Sequence, residues 1–375
     1  MMDKRRLETG DVIAVARSVF EALLSNIREA GYDLIGPQVR GNGIAYESFQ
    51  SVEQLPTGLV TDQAPGRFRL IEGGHERFFD FIPGAQSWKQ FLFPPRLELF
   101  RLRRTSTEWS SVESAIPSPA RAFIGVRACE LAAIQMQDRI LLRADFSDPL
   151  YRALRSKVFV LAVNCLHPAG TCFCSSMGCG PRVQNGFDLC LTELDDIFLV
   201  TIGSELGRSV AQDLPSEPAS AFALSAAETA IELASQQARC AVDPARSADG
   251  ILENLDDPHW DTVANRCLSC GNCTLVCPTC FCWDVEDHLN LRGTETTRER
   301  IWDSCFNPGY SSQAGGNTRP SIRSRYRQWL SHKFGGWKQQ FGTLGCVGCG
   351  RCVTWCPAAI DTREEVQAMQ LEAVP

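Results

Sequence analysis

Three short runs in the first two-thirds of the chain, AFIGV (122–126), VFVLAV (158–163) and IFLVTI (197–202), are almost continuously apolar. Stretches with helical spacing, ELAAIQMQDRILL (130–142) and 225–239, lie between or after them. Strands without polar alternation, interleaved with helices, indicate a partly parallel sheet covered on both faces. Upstream, Val12, Val15, Val19, Leu23 and Ile27 fall on one face of a single amphipathic helix over 11–30. Residues 31–120 are rich in Gly, Pro and aromatics, and GPQVRGNGIAYESF and GRFRLIEG predict short strands joined by turns. The polar stretch DPARSADGILENLDD (243–257) reads as a linker. Helices are expected at DVEDHLNL (284–291) and DTREEVQAMQLEA (361–373), the latter capped by Asp361 or Thr362 with acidic residues in its first turn.

Composition removes several classes. The 375 residues are 44% hydrophobic and 22% charged, ordinary for a chain of two or three domains. A formal charge of −7 argues against a general nucleic-acid binder. No apolar run approaches the roughly eighteen residues needed to span a bilayer. The start, MMDKRRLETGDVIAVARSVF, interleaves charge with apolar residues and carries no small-residue cleavage site, so no secretion signal is expected. Without export, 18 cysteines point to metal ligands or redox groups in a cytoplasmic protein rather than disulfides.

Cysteine spacing selects the metal. Cys267, Cys270, Cys273 and Cys277 follow C-x2-C-x2-C-x3-C with Pro278 next, and the pattern recurs as Cys346, Cys349, Cys352, Cys356 and Pro357. Structural zinc takes its ligands in pairs from two separated knuckles. The doubled run is instead the bacterial ferredoxin pattern, whose fourth cysteine ligates the other cluster. One [4Fe–4S] cluster is therefore assigned to Cys267, Cys270, Cys273 and Cys356, and the other to Cys346, Cys349, Cys352 and Cys277. Gly271, Gly348 and Gly350 permit the tight turns. The expected architecture is α+β and multidomain. An N-terminal α/β domain (1–240) and a linker (241–258) precede a mostly helical, ferredoxin-like dicluster domain (259–375) with a basic insertion (292–340).

A second constellation sits in the α/β part. Cys129 and Cys165 lie just past the carboxyl ends of two predicted parallel strands, the edge where open α/β sheets build their sites. Cys172 and Cys174 follow in the loop HPAGTCFCSSMGCGP, and these four are assigned to a third [4Fe–4S] cluster, with Cys179 left out. The competing reading is that some are ordinary buried thiols. His167 reads as a loop histidine, with a proton carrier or a donor near the cluster as alternatives. Cys280, Cys282 and Cys305 are expected to pack beside a cluster, against ligation of an additional metal or a more active role. Cys190 and Cys240 read as core or loop thiols. The basic segment holds Arg292, Arg298, Arg300, Arg319, Arg323, Arg325, Arg327, Lys333 and Lys338. It is read as cations near an anionic cluster, as a docking surface for an acidic or flavin-bearing partner, or as a solvated face. No G-x-G-x-x-G follows a strand, and there is no P-loop or flavin fingerprint.

The segments GAQSWKQFLFPP (84–95), GVRACELAAIQMQDRIL (125–141), NCLHPAGTCFCSSMGCGP (164–181), CPTCFCWDVED (277–287), WDSC (302–305) and CVGCGRCVTWCP (346–357) together resemble the beta, iron–sulfur subunit of sulfhydrogenases. They are also similar to the corresponding iron–sulfur subunit of anaerobic sulfite reductases, which is of the same family. Members typically carry Thr where this chain has Cys179, which supports leaving Cys179 outside the ligand set. The resemblance implies a non-catalytic electron-transfer subunit of a cytoplasmic complex. It would relay single electrons between a flavin subunit that uses NAD(P)H and a catalytic partner. That partner would be the small and large subunits of a nickel–iron hydrogenase, or a sirohaem sulfite reductase. A chain that itself reduces a sulfur compound is the remaining alternative.

Overall fold

The computed structural model describes residues 6–106, 108–112 and 119–369. In chain order the strands of the first part are β1 (Val12–Ala16), β2 (Asp33–Arg40), β3 (Gly43–Ser48), β4 (Leu59–Ala64), β5 (Arg67–Glu72), β6 (Arg96–Arg104), β7 (Trp109–Val112), β8 (Arg121–Arg127), β9 (Val158–Val163), β10 (Leu189–Glu193), β11 (Ile197–Ile202) and β12 (Glu217–Pro218). Eight of them form one sheet in the order β12-β1-β11-β10-β9-β8-β2-β3. Its centre, β2, β8, β9 and β10, is parallel, and the outer pairs are antiparallel. The apolar runs owe their lack of alternation to cover on both faces. Ile124, Leu161 and Leu191 pack on one side with the helix Phe20–Glu29. Phe123, Val126, Val160 and Ala162 pack on the other with the helices Ala128–Leu141 and Pro149–Arg155.

Four expectations are corrected. The single helix over 11–30 is a strand followed by a helix: β1 pairs with β11, Val15 opposite Phe198, before the helix begins at Phe20. VIAVA is rich in β-branched residues, and a ladder partner decides its conformation where spacing alone does not. The run at β11 is antiparallel to β10, because only residues 194–196 join them and so short a connection cannot cross over. DVEDHLNL is not helical. It forms β13 (Trp283–Leu289), paired along its length with β14 (Glu295–Trp302). β14 in turn pairs with β6, so a four-stranded sheet β13-β14-β6-β7 stitches the C-terminal part to the N-terminal one.

The fourth correction is the linker. Within 241–258 lies the helix Pro244–Glu253, capped by Asp243, whose Oδ1 accepts from the N–H groups of Ala245 and Arg246 at 2.9 and 3.3 Å. Ala248 and Ile251 are buried in one core with Trp260, Leu330 and Phe334. The segment looks polar because its solvent face outnumbers its buried stripe. Downstream, Asp361 caps the helix Thr362–Ala368 as expected, and the rest of that predicted helix, 370–373, lies outside the described residues. No described helix is long and apolar enough to cross a membrane.

Ile251 is 0% exposed. Ile251→Ala is expected to destabilise the protein by about 2–5 kcal/mol, and Asp243→Ala by about 1 kcal/mol. A lowered thermal midpoint of anaerobically purified protein checks both; a free linker would leave it unmoved.

Candidate metal centres

Both ferredoxin-type loops are built the same way. Gly271 and Gly350, at φ +72° and +73°, turn the chain into the short helices Asn272–Leu275 and Arg351–Thr354. The loops therefore bend tightly enough for backbone N–H groups to reach sulfur. Ser269 N–H donates to Cys267 Sγ, Gly348 N–H to Cys346 Sγ and Ile360 N–H to Cys356 Sγ, each at 3.4 Å. Gly348 and Gly350 have a further role that the motif does not announce. A Cβ there would stand 2.6 Å from the backbone of Phe173 and Cys174 and 2.5 Å from Thr171 O. The second loop thus lies directly on the loop of the α/β part, and Phe173 N–H donates to Gly348 O at 2.8 Å.

The twelve assigned cysteines fall into three neighbouring groups. Cys267, Cys270 and Cys273 line one cavity with Cys352 and Cys356, so the last cysteine of the second motif does reach the first motif's loop. Cys277, Cys346, Cys349 and Cys352 form the second group. Burial pushes the Cys352 thiol up to about 12, with Cys349 and Cys277 adding to the shift. Cys346 is pushed well up by burial, then by Cys352 and Cys349. Cys129, Cys165, Cys172 and Cys174 line a third cavity, and Cys349 shares its wall. Burial pushes Cys172 up to about 12, with Cys165 contributing. Cys129 stands in the first turn after β8 and Cys165 just past β9, at the carboxyl edge of the parallel strands. Cys179 is outside this cavity, in an adjoining groove with Ala132, Gln135 and Arg182.

These cavities suit an anionic sulfur cofactor. The first is walled by Phe306, Tyr326, Trp329 and Ile360. Among the described residues Tyr326 Oη and Trp329 Nε1 are buried without a hydrogen-bond partner, as is Nε of the nearby Arg325. Buried donors are normally satisfied, so orphans around a thiol-lined cavity fit a ligand rich in acceptor sulfur. Arg325 also favours the thiolate of Cys267, against the larger effect of burial.

Several neighbours of these groups belong to no cysteine motif. Glu130, next to Cys129, is buried with Arg351, next to Cys352, and the two form an ion pair at 2.6 Å. Glu130 also accepts from Tyr46 Oη at 3.0 Å, Trp88 Nε1 at 3.2 Å and Arg127 N–H at 3.3 Å. Arg351 Nε donates to Gly84 O at 3.1 Å. Lys333 Nζ donates to Cys277 Sγ at 3.2 Å, Thr279 Oγ1 at 3.0 Å and Gly345 O at 3.2 Å. Lys89 Nζ donates to the carbonyls of Cys277 and Cys280 at 2.9 and 3.2 Å and lies 3.8 Å over the Trp302 ring. Lys333 belongs to the basic segment read as cations near a cluster, whereas Lys89 in SWKQF and Glu130 in VRACEL are single charges with no spacing to mark them.

The remaining candidates are placed more simply. Cys282 and Cys305 share the apolar core that surrounds the first two groups. Cys282 is drawn down to about 6, first by a hydrogen bond with the Cys305 thiol. Cys280 is hydrogen-bonded to the thiol of Cys277. His167, half exposed, holds Asp80 Oδ1 at 2.8 Å, with His75 on Oδ2 at 2.9 Å. Much of the basic segment is neutralised within the chain: Arg298 by Asp287, Arg300 by Asp148, Arg323 by Asp261, Arg327 by Asp256 and Lys338 by Asp249. A uniformly basic face is therefore replaced by paired charges, with Lys333 and Arg325 turned inward.

Residues 266–360 match the family model of the 4Fe-4S dicluster domain. Over 318 residues the chain is 31% identical to the sulfhydrogenase 2 subunit beta of Pyrococcus furiosus, an alignment covering 81% of this chain and 89% of that protein. A stretch of 115 residues is 27% identical to a pyruvate-flavodoxin oxidoreductase of Trichormus variabilis, covering 31% of this chain and 8% of that protein.

Arg351→Met leaves Glu130 buried and unpaired, and a loss of about 3–5 kcal/mol is expected. Adding Glu130→Gln should restore part of it. A double-mutant cycle on thermal stability checks the coupling, and additive losses would disprove it.

Proposed function

The chain belongs to the sulfhydrogenase beta-subunit family, and we propose that it relays single electrons through three [4Fe–4S] clusters inside a cytoplasmic hydrogenase complex. Cys267, Cys270, Cys273 and Cys356 hold the first, Cys277, Cys346, Cys349 and Cys352 the second, and Cys129, Cys165, Cys172 and Cys174 the third. A [4Fe–4S] cluster supplies a site that accepts and releases one electron. The chain supplies its surroundings: thiolates at the corners, apolar walls that exclude water, and N–H groups and cations that set its potential.

The observation that carries this reading is the sharing of walls. Cys349 belongs to the second quartet and lines the third cavity, and Cys352 belongs to the second quartet and lines the first. In this reading the second site adjoins both of the others. Cys270 is the exposed cysteine of the eighteen, so the first quartet is the one open to a partner. Leu268 and Leu275 are exposed beside it and offer an apolar rim for docking. The resemblance to sulfhydrogenases supports a flavin subunit that uses NAD(P)H at one end and a nickel–iron hydrogenase module at the other.

Anaerobically purified protein should contain about twelve irons and as many acid-labile sulfides per chain, four for each cluster. Cys270→Ala, Cys349→Ala and Cys172→Ala should each disturb one cluster. Each should abolish NAD(P)H-linked turnover of the reconstituted complex while the partner's dye-linked activity survives. A content of about eight irons, unchanged in Cys172→Ala, would remove the third site. Full NAD(P)H-linked turnover in Cys349→Ala would overturn the relay.

A further inference from the structure

Resting on that relay, we propose that Lys333 and Lys89 are the buried counter-charge of the second quartet and raise the reduction potential of the cluster it holds. The two lysines are 5% and 4% exposed. A buried ammonium is costly unless something anionic lies beside it. Among the described residues neither lysine has a carboxylate as hydrogen-bond partner: Lys333 touches Cys277 Sγ, Thr279 Oγ1 and Gly345 O, and Lys89 touches the carbonyls of Cys277 and Cys280. The sulfur quartet is the nearby anion that makes such burial tolerable. Arg351, by contrast, is neutralised by Glu130.

The placement of Lys333 is specific. It sits on a π-helical turn, His332–Gly336, a local widening of the helix often found at functional sites. Its backbone carbonyl accepts from Gly345 N–H at 2.7 Å while its Nζ donates to Gly345 O. One residue therefore grips the chain immediately before Cys346 and, through Nζ, the sulfur of Cys277. These are the two distant pieces from which the second quartet is assembled. Lys89 comes from the N-terminal part and holds the same Cys277–Cys280 turn through its two carbonyls. A cluster ligated by four thiolates is anionic and gains one more negative charge on reduction. A fixed cation 3.2 Å from a ligand sulfur favours the reduced form, and so raises the potential of the second site. Lys333 and Lys89 act through the ligands, as positioning and charge-setting residues.

The test is a potentiometric titration of the anaerobic holoprotein, followed by electron paramagnetic resonance, with iron and sulfide counted on the same samples. Lys333→Met is expected to move one titrating component to lower potential while the others superimpose on wild type. Lys333→Arg should keep that component near its original position, and Lys89→Met should move the same component in the same direction. Loss of about four irons from Lys333→Met with Lys333→Arg intact would also support the counter-charge. Superimposable titrations of wild type, Lys333→Met and Lys89→Met at full iron content would overturn the proposal. So would loss of iron from both Lys333 variants, which would mark a packing role. Wild-type protein that shows no reducible iron–sulfur component would instead sink the relay itself, so the two failures are distinguishable.

Discussion

Everything near the sulfur sites depends on holding the second ferredoxin-type loop flat against the α/β part, and the buried Glu130–Arg351 pair does this. Glu130 lies in the first turn of the helix that follows β8, and Arg351 begins the short helix that follows Gly350. Burying two charges is costly, and their attraction offsets the cost only when the remaining donors and acceptors are satisfied. Here the carboxylate also accepts from Tyr46, Trp88 and the Arg127 N–H, and the guanidinium also donates to Gly84 O. The network draws on four separated stretches of chain. Each of the two ion-pair partners is adjacent in sequence to an assigned sulfur ligand. Fold stability and cluster geometry are therefore one problem in this protein.

The electrostatics follow the same logic. The basic segment supplies fewer free charges to solvent than its sequence suggests, because Asp148, Asp256, Asp261 and Asp287 take up Arg300, Arg327, Arg323 and Arg298. Among the basic-segment cations that no carboxylate pairs in the described residues, Lys333 and Arg325 are turned inward, toward sulfur. This arrangement suits a centre whose negative charge rises on reduction, since a cation in the interior is screened far less than one at the surface. The sheet β13-β14-β6-β7 makes the segment part of the body, so its charges are held at fixed positions.

Much of the chemistry was legible in the chain. The doubled cysteine run implies two crossed quartets, because a loop with three cysteines at successive gaps of two can wrap only three corners of a cube. Cys356 lines the cavity of Cys267, Cys270 and Cys273, together with Cys352. The continuous apolar runs announced β8 and β9, and their ends announced where Cys129 and Cys165 would meet Cys172 and Cys174. Three local assignments failed for a common reason. VIAVA, DVEDHLNL and the stretch around Ile251 have weak or ambiguous periodicity, and each took its form from a partner far away in the chain. Those partners were β11, β14 and the core around Trp260 and Phe334.

By itself the sequence determined the candidate ligand type, the spacing within each loop and the parallel core of the sheet, all of which are written in neighbouring residues. Only the tertiary structure decided that Lys89, Lys333, Glu130 and Arg351 would meet at the sulfur sites. It also decided that Cys349 and Cys352 would each stand in the wall between two of them. A side chain's pattern along the chain records its neighbours in its own element. The electrostatic partner of a buried charge is chosen across elements, where no periodicity reaches.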